Sequence, residues 1–125
     1  MATDTLRRRF VILEHHHNGM HYDFMLEIEG RLQTWRVADL PTAPGNLVPA
    51  QPLPDHRIVY LDYEGPISGD RGFVRRYDTG YYEVVSDYVS AKVVRLYGSK
   101  VRGLWRLEQA GSEWLFSWLT EDAAY

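Results

Sequence analysis

Apolar and polar positions alternate with a period of two through much of the chain. The clearest run begins at Met20. Met20, Tyr22, Phe24, Leu26 and Ile28 take one phase, and His21, Asp23, Met25, Glu27 and Glu29 take the other. Period two marks a half-buried β-strand, so the first set is expected to face a core and the second to project from the opposite face. Residues 9–14 read as a preceding strand, apolar enough to be central. Asn18-Gly19 tolerates the positive φ of a turn, which makes the two segments a hairpin or looped pair. Glu29-Gly30 then turns into an alternating segment over 31–37. Pro41, Pro44, Pro49, Pro52 and Pro54 follow within fourteen residues, a density that predicts a long surface loop. Further strands are expected over 71–77, 81–85, 91–97, 102–108 and 113–119. Their turns fall at Thr79-Gly80, Gly98-Ser99 and Ala110-Gly111-Ser112. No window gives a long amphipathic helix. Short strands at regular spacing predict an all-β barrel or sandwich with little helix, one domain over 1–125, with residues 1–8 flexible.

Composition changes this picture little. The 125 residues are 45% hydrophobic and 25% charged, ordinary for a globular domain. There is no cysteine, which excludes a disulfide framework and thiol chemistry. The first nine residues lack the apolar segment of a secretory signal, and no apolar run approaches the length of a membrane span. A cytoplasmic location without a membrane partner is expected. The net charge of −3 argues against indiscriminate polyanion binding, but it is unevenly spread. Residues 71–106 carry Arg71, Arg75, Arg76, Lys92, Arg95, Lys100, Arg102 and Arg106 against Asp78, Glu83 and Asp87. That segment is +5 and the rest −8. It is either a phosphate-contacting face or a set of ordinary solvated strand faces.

Candidate chemistry concentrates in His15-His16-His17 and the strand after it. Residues i and i+2 of a strand share a face, roughly 6–7 Å apart by the rise per residue. His21 and Asp23 can therefore converge on one divalent ion, with a third ligand from the upstream histidine run. Imidazole plus carboxylate suits Mn, Zn or Fe(II). The competing reading is a solvated His/Asp face beside a polar turn, and the neighbouring histidines favour the metal. Downstream, His56, Ile58 and Tyr60 share a face if residues 56–60 are extended. From spacing alone, these read as a satisfied histidine and a tyrosine with its tip in water.

These blocks together resemble the 3′-phosphoesterase module of bacterial DNA ligase D and its stand-alone relatives. His15 … Met20-His21-Tyr22-Asp23-Phe24-x-Leu26-Glu27 is similar to that family's L-H-[YW]-D-F-R-L-E block and its preceding histidine. Asp55-His56-x-x-x-Tyr60-x-Asp62-Tyr63-Glu64-Gly65-x-Ile67 resembles D-H-P-x-x-Y-x-x-F-E-G-x-I. Leu32-x-x-Trp35-x-Val37 and Tyr77-Asp78-x-Gly80-x-Tyr82-Glu83 match two further strands. The resemblance runs from about residue 9 to the C-terminus. It implies a compact β-barrel with a crescent-shaped cleft and a Mn²⁺-dependent activity on DNA 3′ ends, with Zn²⁺ or another divalent ion as the alternative. The family removes a terminal ribonucleoside and then the 3′-phosphate, leaving a 3′-OH for end joining. By position, the resemblance makes His15, His21 and Asp23 the metal ligands, and His56 and Tyr60 the catalytic, phosphate-contacting pair. The implied partners are primer–template or RNA–DNA junction ends, and a separate ligase or polymerase of non-homologous end joining.

The chain departs from the family pattern on the phosphate side. Met25 replaces the arginine of D-F-R-L-E, Leu13 a polar residue, and Pro54 an acidic one. Asp39 falls near the lysine of V-P-K-G, and the glycine-rich stretch after Ile67 shortens to Ser68-Gly69-Asp70-Arg71-Gly72. Methionine cannot bind phosphate bidentately as arginine does. Three readings follow: a working metal-dependent 3′-phosphoesterase, a weak or inactive module that recognises nucleic-acid 3′ ends or a repair partner, and a phosphoesterase for a non-nucleic substrate. Arg36, Arg57 and Arg71 are candidate replacements for the missing arginine that the sequence alone does not place.

Overall fold

A computed structural model describes residues 8–120. Nine strands run in chain order: β1 (Arg8–His16), β2 (Met20–Ile28), β3 (Arg31–Val37), β4 (Leu47–Arg57), β5 (Gly65–Pro66), β6 (Phe73–Tyr88), β7 (Ala91–Gly98), β8 (Arg102–Ala110) and β9 (Glu113–Thr120). A 3₁₀ turn spans Ile58–Leu61. The strands lie in the order β1-β2-β3-β4-β9-β8-β7-β6, and β6 returns to pair with β1. Eight antiparallel strands thus close into a barrel, while the two-residue β5 pairs with the start of β6. The strand pattern predicts an all-β barrel or sandwich, and the barrel, which the resemblance implies, is the one that forms. Residues 1–7 of the expected flexible lead lie outside the described residues, and Arg8 opens β1. Among the described residues, no helix is long and apolar enough to cross a membrane.

The alternation of β2 has the expected effect on its inward face. Phe24 and Leu26 are buried in the barrel with Phe10, Ile12, Trp35, Leu96, Trp105 and Phe116, and Tyr22 and Ile28 pack against them. Met20 departs from the pattern. It stands at the end of β2 and is exposed. The outward face departs more. Val11, Leu13, Met25, Leu32, Leu61 and Val74 form a second buried cluster, with Tyr60, Tyr63 and Ile67 packed on it. The segment after β4 therefore covers the outside of β1 and β2. β1 is buried on both faces, which explains its unbroken apolar run of Phe10-Val11-Ile12-Leu13. Two polar ties hold the cover down. Arg9 pairs with Asp62 at 2.8 Å, and the Arg76 backbone N–H donates to Glu64 at 2.8 Å. The arginine holds the Asp62 carboxyl below its ordinary pKa.

Two expectations are corrected. The proline-rich stretch is not loop throughout, because residues 47–57 form β4. Proline removes a backbone donor, so within a sheet it needs an unpaired side. β4 pairs with β3 only from Ala50 to Arg57 and with β9 only from Leu47 to Ala50. Pro49 therefore lies beside β9 alone, and Pro52 and Pro54 beside β3 alone. Thr79-Gly80 is likewise not a turn, since β6 runs continuously through it. Gly80 is required by crowding: a Cβ there would lie 2.1 Å from the Tyr97 carbonyl oxygen. The preceding Asp78 is buried, and its carboxylate accepts from the backbone N–H groups of Thr79, Ser99, Lys100 and Val101 at 2.7–3.1 Å. It thereby caps the β7–β8 turn. Several side chains of the basic segment have acidic partners. Arg75, Arg95 and Arg106 pair with Glu14, Glu83 and Glu108, as ordinary strand-face residues do.

Asp78→Ala strands these four donors with no acceptor. The expected loss of stability is about 3 kcal/mol or more, read from urea unfolding midpoints against wild type. A change within about 0.5 kcal/mol, typical of a neutral surface site, contradicts the capping role.

Candidate metal centre

The β1–β2 register sets His15 directly across from His21 and Leu13 across from Asp23. Their side chains point outward beside the second apolar cluster. His15 Nδ1 lies 3.2 Å from His21 Nε2, His21 Nε2 lies 3.3 Å from Asp23 Oδ1, and His15 Nδ1 lies 3.9 Å from Asp23 Oδ2. The three side chains thus offer ligand atoms that all fall within 4.8 Å of one another. Metal–ligand bonds of about 2.0–2.2 Å place neighbouring ligand atoms roughly 3.0–3.5 Å apart. The spacing fits one small divalent cation.

The protonation pattern fits as well. His15 Nε2 lies 2.8 Å from the Arg71 carbonyl oxygen. A carbonyl only accepts, so Nε2 carries the proton and a neutral His15 presents a bare Nδ1 to the cluster. The Asp23 carboxylate is 5% exposed, and its Oδ1 is buried with no hydrogen-bond donor. Burial, chiefly, holds the His21 imidazole below its ordinary pKa, with Arg36 and His15 adding to the lowering and Asp23 pulling the other way. A neutral imidazole is the form that binds metal. The cluster therefore presents a bare His15 nitrogen and a buried carboxylate oxygen to a cation.

The other two histidines of the run are occupied elsewhere. His16 donates to Glu14 at 3.0 Å and stacks on Phe73 with ring centroids 4.6 Å apart. His17 is exposed and stacks on the outer side of His15 at 6.2 Å. Of the three, His15 alone belongs to the cluster.

Two contributors were not read from the sequence. Arg71 acts through its backbone carbonyl, which carries no side-chain signal. Gly72, next to it, has φ +79° and sits so close to β1 that a Cβ would lie 1.8 Å from the His16 carbonyl oxygen. This contact lets the 68–72 turn reach His15. The only sequence trace is the glycine closing Ser68-Gly69-Asp70-Arg71-Gly72.

His56 and Tyr60 come together by a different route from the one expected. Residues 58–61 form the 3₁₀ turn rather than an extended strand. The turn brings the two rings to 6.2 Å, edge to face. His56 donates from Nδ1 to the Pro54 carbonyl at 2.9 Å and lines an open groove with Gly30, Arg31, Asp55, Arg57 and Ile58. The register carries His56 to Leu32 and Leu32 to Glu27, four residues along β2 from Asp23. That is roughly 13 Å of backbone rise along β2, but the 3₁₀ turn folds Tyr60 back onto the outer cluster that holds Leu13 and Met25, beside Asp23. Among the described residues, no hydrogen bond or ion pair links His56 or Tyr60 to the histidine–aspartate cluster. Between the two lies Met25, 1% exposed within the outer apolar cluster.

Comparison with known proteins gives a consistent answer. A family profile described as the DNA Ligase D 3′-phosphoesterase domain matches residues 13–109. The chain is 36% identical over 117 residues to the multifunctional non-homologous end joining DNA repair protein LigD of Mycobacterium tuberculosis, covering 85% of this chain and 15% of that protein. It is 34% identical over 123 residues to the corresponding protein of Mycolicibacterium smegmatis, covering 86% and 16%. A 60-residue match to the Pseudomonas aeruginosa protein is 37% identical and covers 47% and 7%. The chain thus spans about 15% of the length of the mycobacterial relatives.

Gly72→Ala pushes the 68–72 turn off β1 and takes the Arg71 carbonyl from His15. Calorimetric titration of the full chain with Mn²⁺ or Zn²⁺ is expected to show affinity lowered about 10–100-fold, as for loss of a group that orients a metal ligand. His21→Ala is expected to remove binding altogether. Unchanged affinity in Gly72→Ala contradicts the orienting role.

Proposed function

The chain belongs to the DNA ligase D 3′-phosphoesterase domain family, and from that premise we propose that it is a divalent-metal-dependent phosphoesterase that trims DNA 3′ ends. The observation that carries this reading is the convergence of His15 Nδ1, His21 Nε2 and the buried Asp23 carboxylate, whose Oδ1 has no hydrogen-bond donor. Such a set has little structural value without a cation, because a buried carboxylate oxygen left without a donor is costly.

A bound divalent ion supplies polarisation of a phosphoryl oxygen and a water of lowered pKa. Mn²⁺ is our choice, with Zn²⁺ as the alternative. The chain's own residues do the remainder. His15, His21 and Asp23 hold the ion. His56 has its Nδ1 proton committed to the Pro54 carbonyl, so Nε2 is the atom that exchanges a proton with the phosphate or with water. The Tyr60 hydroxyl donates to a non-bridging oxygen. The groove past His56, with Arg31 and Arg57 on its walls, accepts the strand leading to the 3′ end. The products are a released ribonucleoside, then phosphate, and a 3′-OH that a separate polymerase or ligase of end joining extends or seals.

One observation favours a second reading. The family's arginine position is filled by Met25, buried in an apolar cluster. With no cation supplied from elsewhere, the chain would bind 3′ ends while turning them over poorly.

The test is a Mn²⁺-supplemented assay on a primer–template ending in a single ribonucleotide or a 3′-phosphate. Wild type is expected to convert both to a 3′-OH. His21→Ala is expected to be inactive, and His56→Ala to fall about 10²-fold or more, the usual share of one acid–base group. Tight end binding without turnover moves the assignment to the second reading. Absence of both binding and turnover contradicts the nucleic-acid assignment.

A further inference from the structure

We propose that Arg36 is the phosphate-binding cation of this site, reaching from β3 the place that the family pattern fills from position 25 on β2. The inference rests on the phosphoesterase reading and names the group that reading lacks.

Position 25 cannot supply the charge. Met25 is 1% exposed and packed among Val11, Leu13, Leu32, Leu61 and Val74. Nor do the other candidates serve. Arg71 is folded back on its own turn, with Nε donating to the Ser68 carbonyl at 2.7 Å and Nη2 to the Ser68 hydroxyl at 3.3 Å. Arg57 lies over the Tyr60 ring at 6.0 Å, beside the groove at His56.

Arg36 is placed differently. The β2–β3 register sets it directly across from Asp23. Its Nε lies 3.8 Å from Asp23 Oδ1, beyond hydrogen-bond range, and is buried without an acceptor. Yet the side chain as a whole is 41% exposed against 5% for Asp23. The stem is therefore fixed at the metal ligands while the guanidinium end faces outward, where an incoming anion arrives. An ion pair alone does not explain this geometry, since a guanidinium serving only Asp23 would close to hydrogen-bond distance on its donor-free oxygen.

The distances also suit substitution of one strand for the other. Position 25 is two residues along β2 from Asp23, about 6–7 Å, and position 36 is one strand across, about 4.8 Å. A long arginine side chain from either reaches the space above Asp23. When a cation takes the Asp23 oxygens, the Arg36 guanidinium has two Nη groups to turn on a phosphoryl oxygen pair, the bidentate geometry that methionine cannot give.

The test separates metal binding from phosphate binding. The full chain is titrated calorimetrically with Mn²⁺, and the Mn²⁺-loaded chain is then titrated with adenosine 3′-phosphate, for wild type, Arg36→Ala and Arg36→Lys. Circular dichroism confirms that each variant is folded. Mn²⁺ affinity is expected to hold within about threefold or to tighten, because a like charge beside the ion is removed. Affinity for adenosine 3′-phosphate is expected to fall tenfold or more in Arg36→Ala, with partial recovery in Arg36→Lys, a point charge without the fork. Undiminished nucleotide affinity in Arg36→Ala overturns the proposal. So does a tenfold loss of Mn²⁺ affinity with nucleotide binding intact, which makes Arg36 a positioning residue for Asp23. Failure of wild type to bind Mn²⁺ overturns the metal reading beneath it, and this proposal with it.

Discussion

A carboxylate buried between two imidazoles, with one oxygen lacking any donor, is the constraint on which the rest of this structure depends. Asp23 is held there by β2, whose inward neighbours Phe24 and Leu26 are locked into the barrel core. The residue cannot rotate into water without unpacking that strand. His15 and His21 meet it because the β1–β2 register pairs them across the sheet. Close approach at Gly72 puts a carbonyl on the far nitrogen of His15 and leaves the near one bare. Each feature raises the cost of the metal-free state or lowers that of the metal-bound one. The barrel's local stability is exchanged for a preorganised set of acceptors.

The outer apolar cluster shows how the site came to differ from the family pattern. Met25 and Leu13 stand where that pattern has an arginine and a polar residue, and Val11 pairs with Met25 in the β1–β2 register. Both changes belong to one packed unit that also includes Leu61 and Val74. They are coherent as packing: a charged side chain at 25 would sit among apolar neighbours, and a buried unpaired charge costs several kcal/mol (order of magnitude). Once that face is apolar, a cation for the phosphate has to enter from another strand. Arg36 is on the adjacent one, opposite Asp23.

What was legible in the sequence follows the range of the interactions involved. The strand character of residues 20–28, the shared face of His21 and Asp23, and the turn at Asn18-Gly19 depend on near neighbours. Each was readable from spacing. The family resemblance added the choice of His15, which spacing had left open, and a site role for His56 and Tyr60, which spacing alone reads as structural. The 3₁₀ turn that joins that pair escaped notice because Ile58-Val59-Tyr60-Leu61 has strong strand propensity, and the burial of Leu61 under the outer cluster overrides it. The prolines of β4 misled because their tolerance depends on where β3 and β9 stop pairing, which is not local information. Gly80 misled for the same reason, since its close contact is with β7. Arg36 was visible as a charge but had no address until the register set it opposite Asp23.

His15, His21 and Asp23 are proposed to form one metal site as built. The most direct test is a crystal structure of the chain soaked in Mn²⁺, read by anomalous scattering. A strong peak bounded by His15 Nδ1, His21 Nε2 and the Asp23 carboxylate is expected, with the Arg71 carbonyl still on His15 Nε2. A peak elsewhere, or none, with these three side chains unmoved would contradict it.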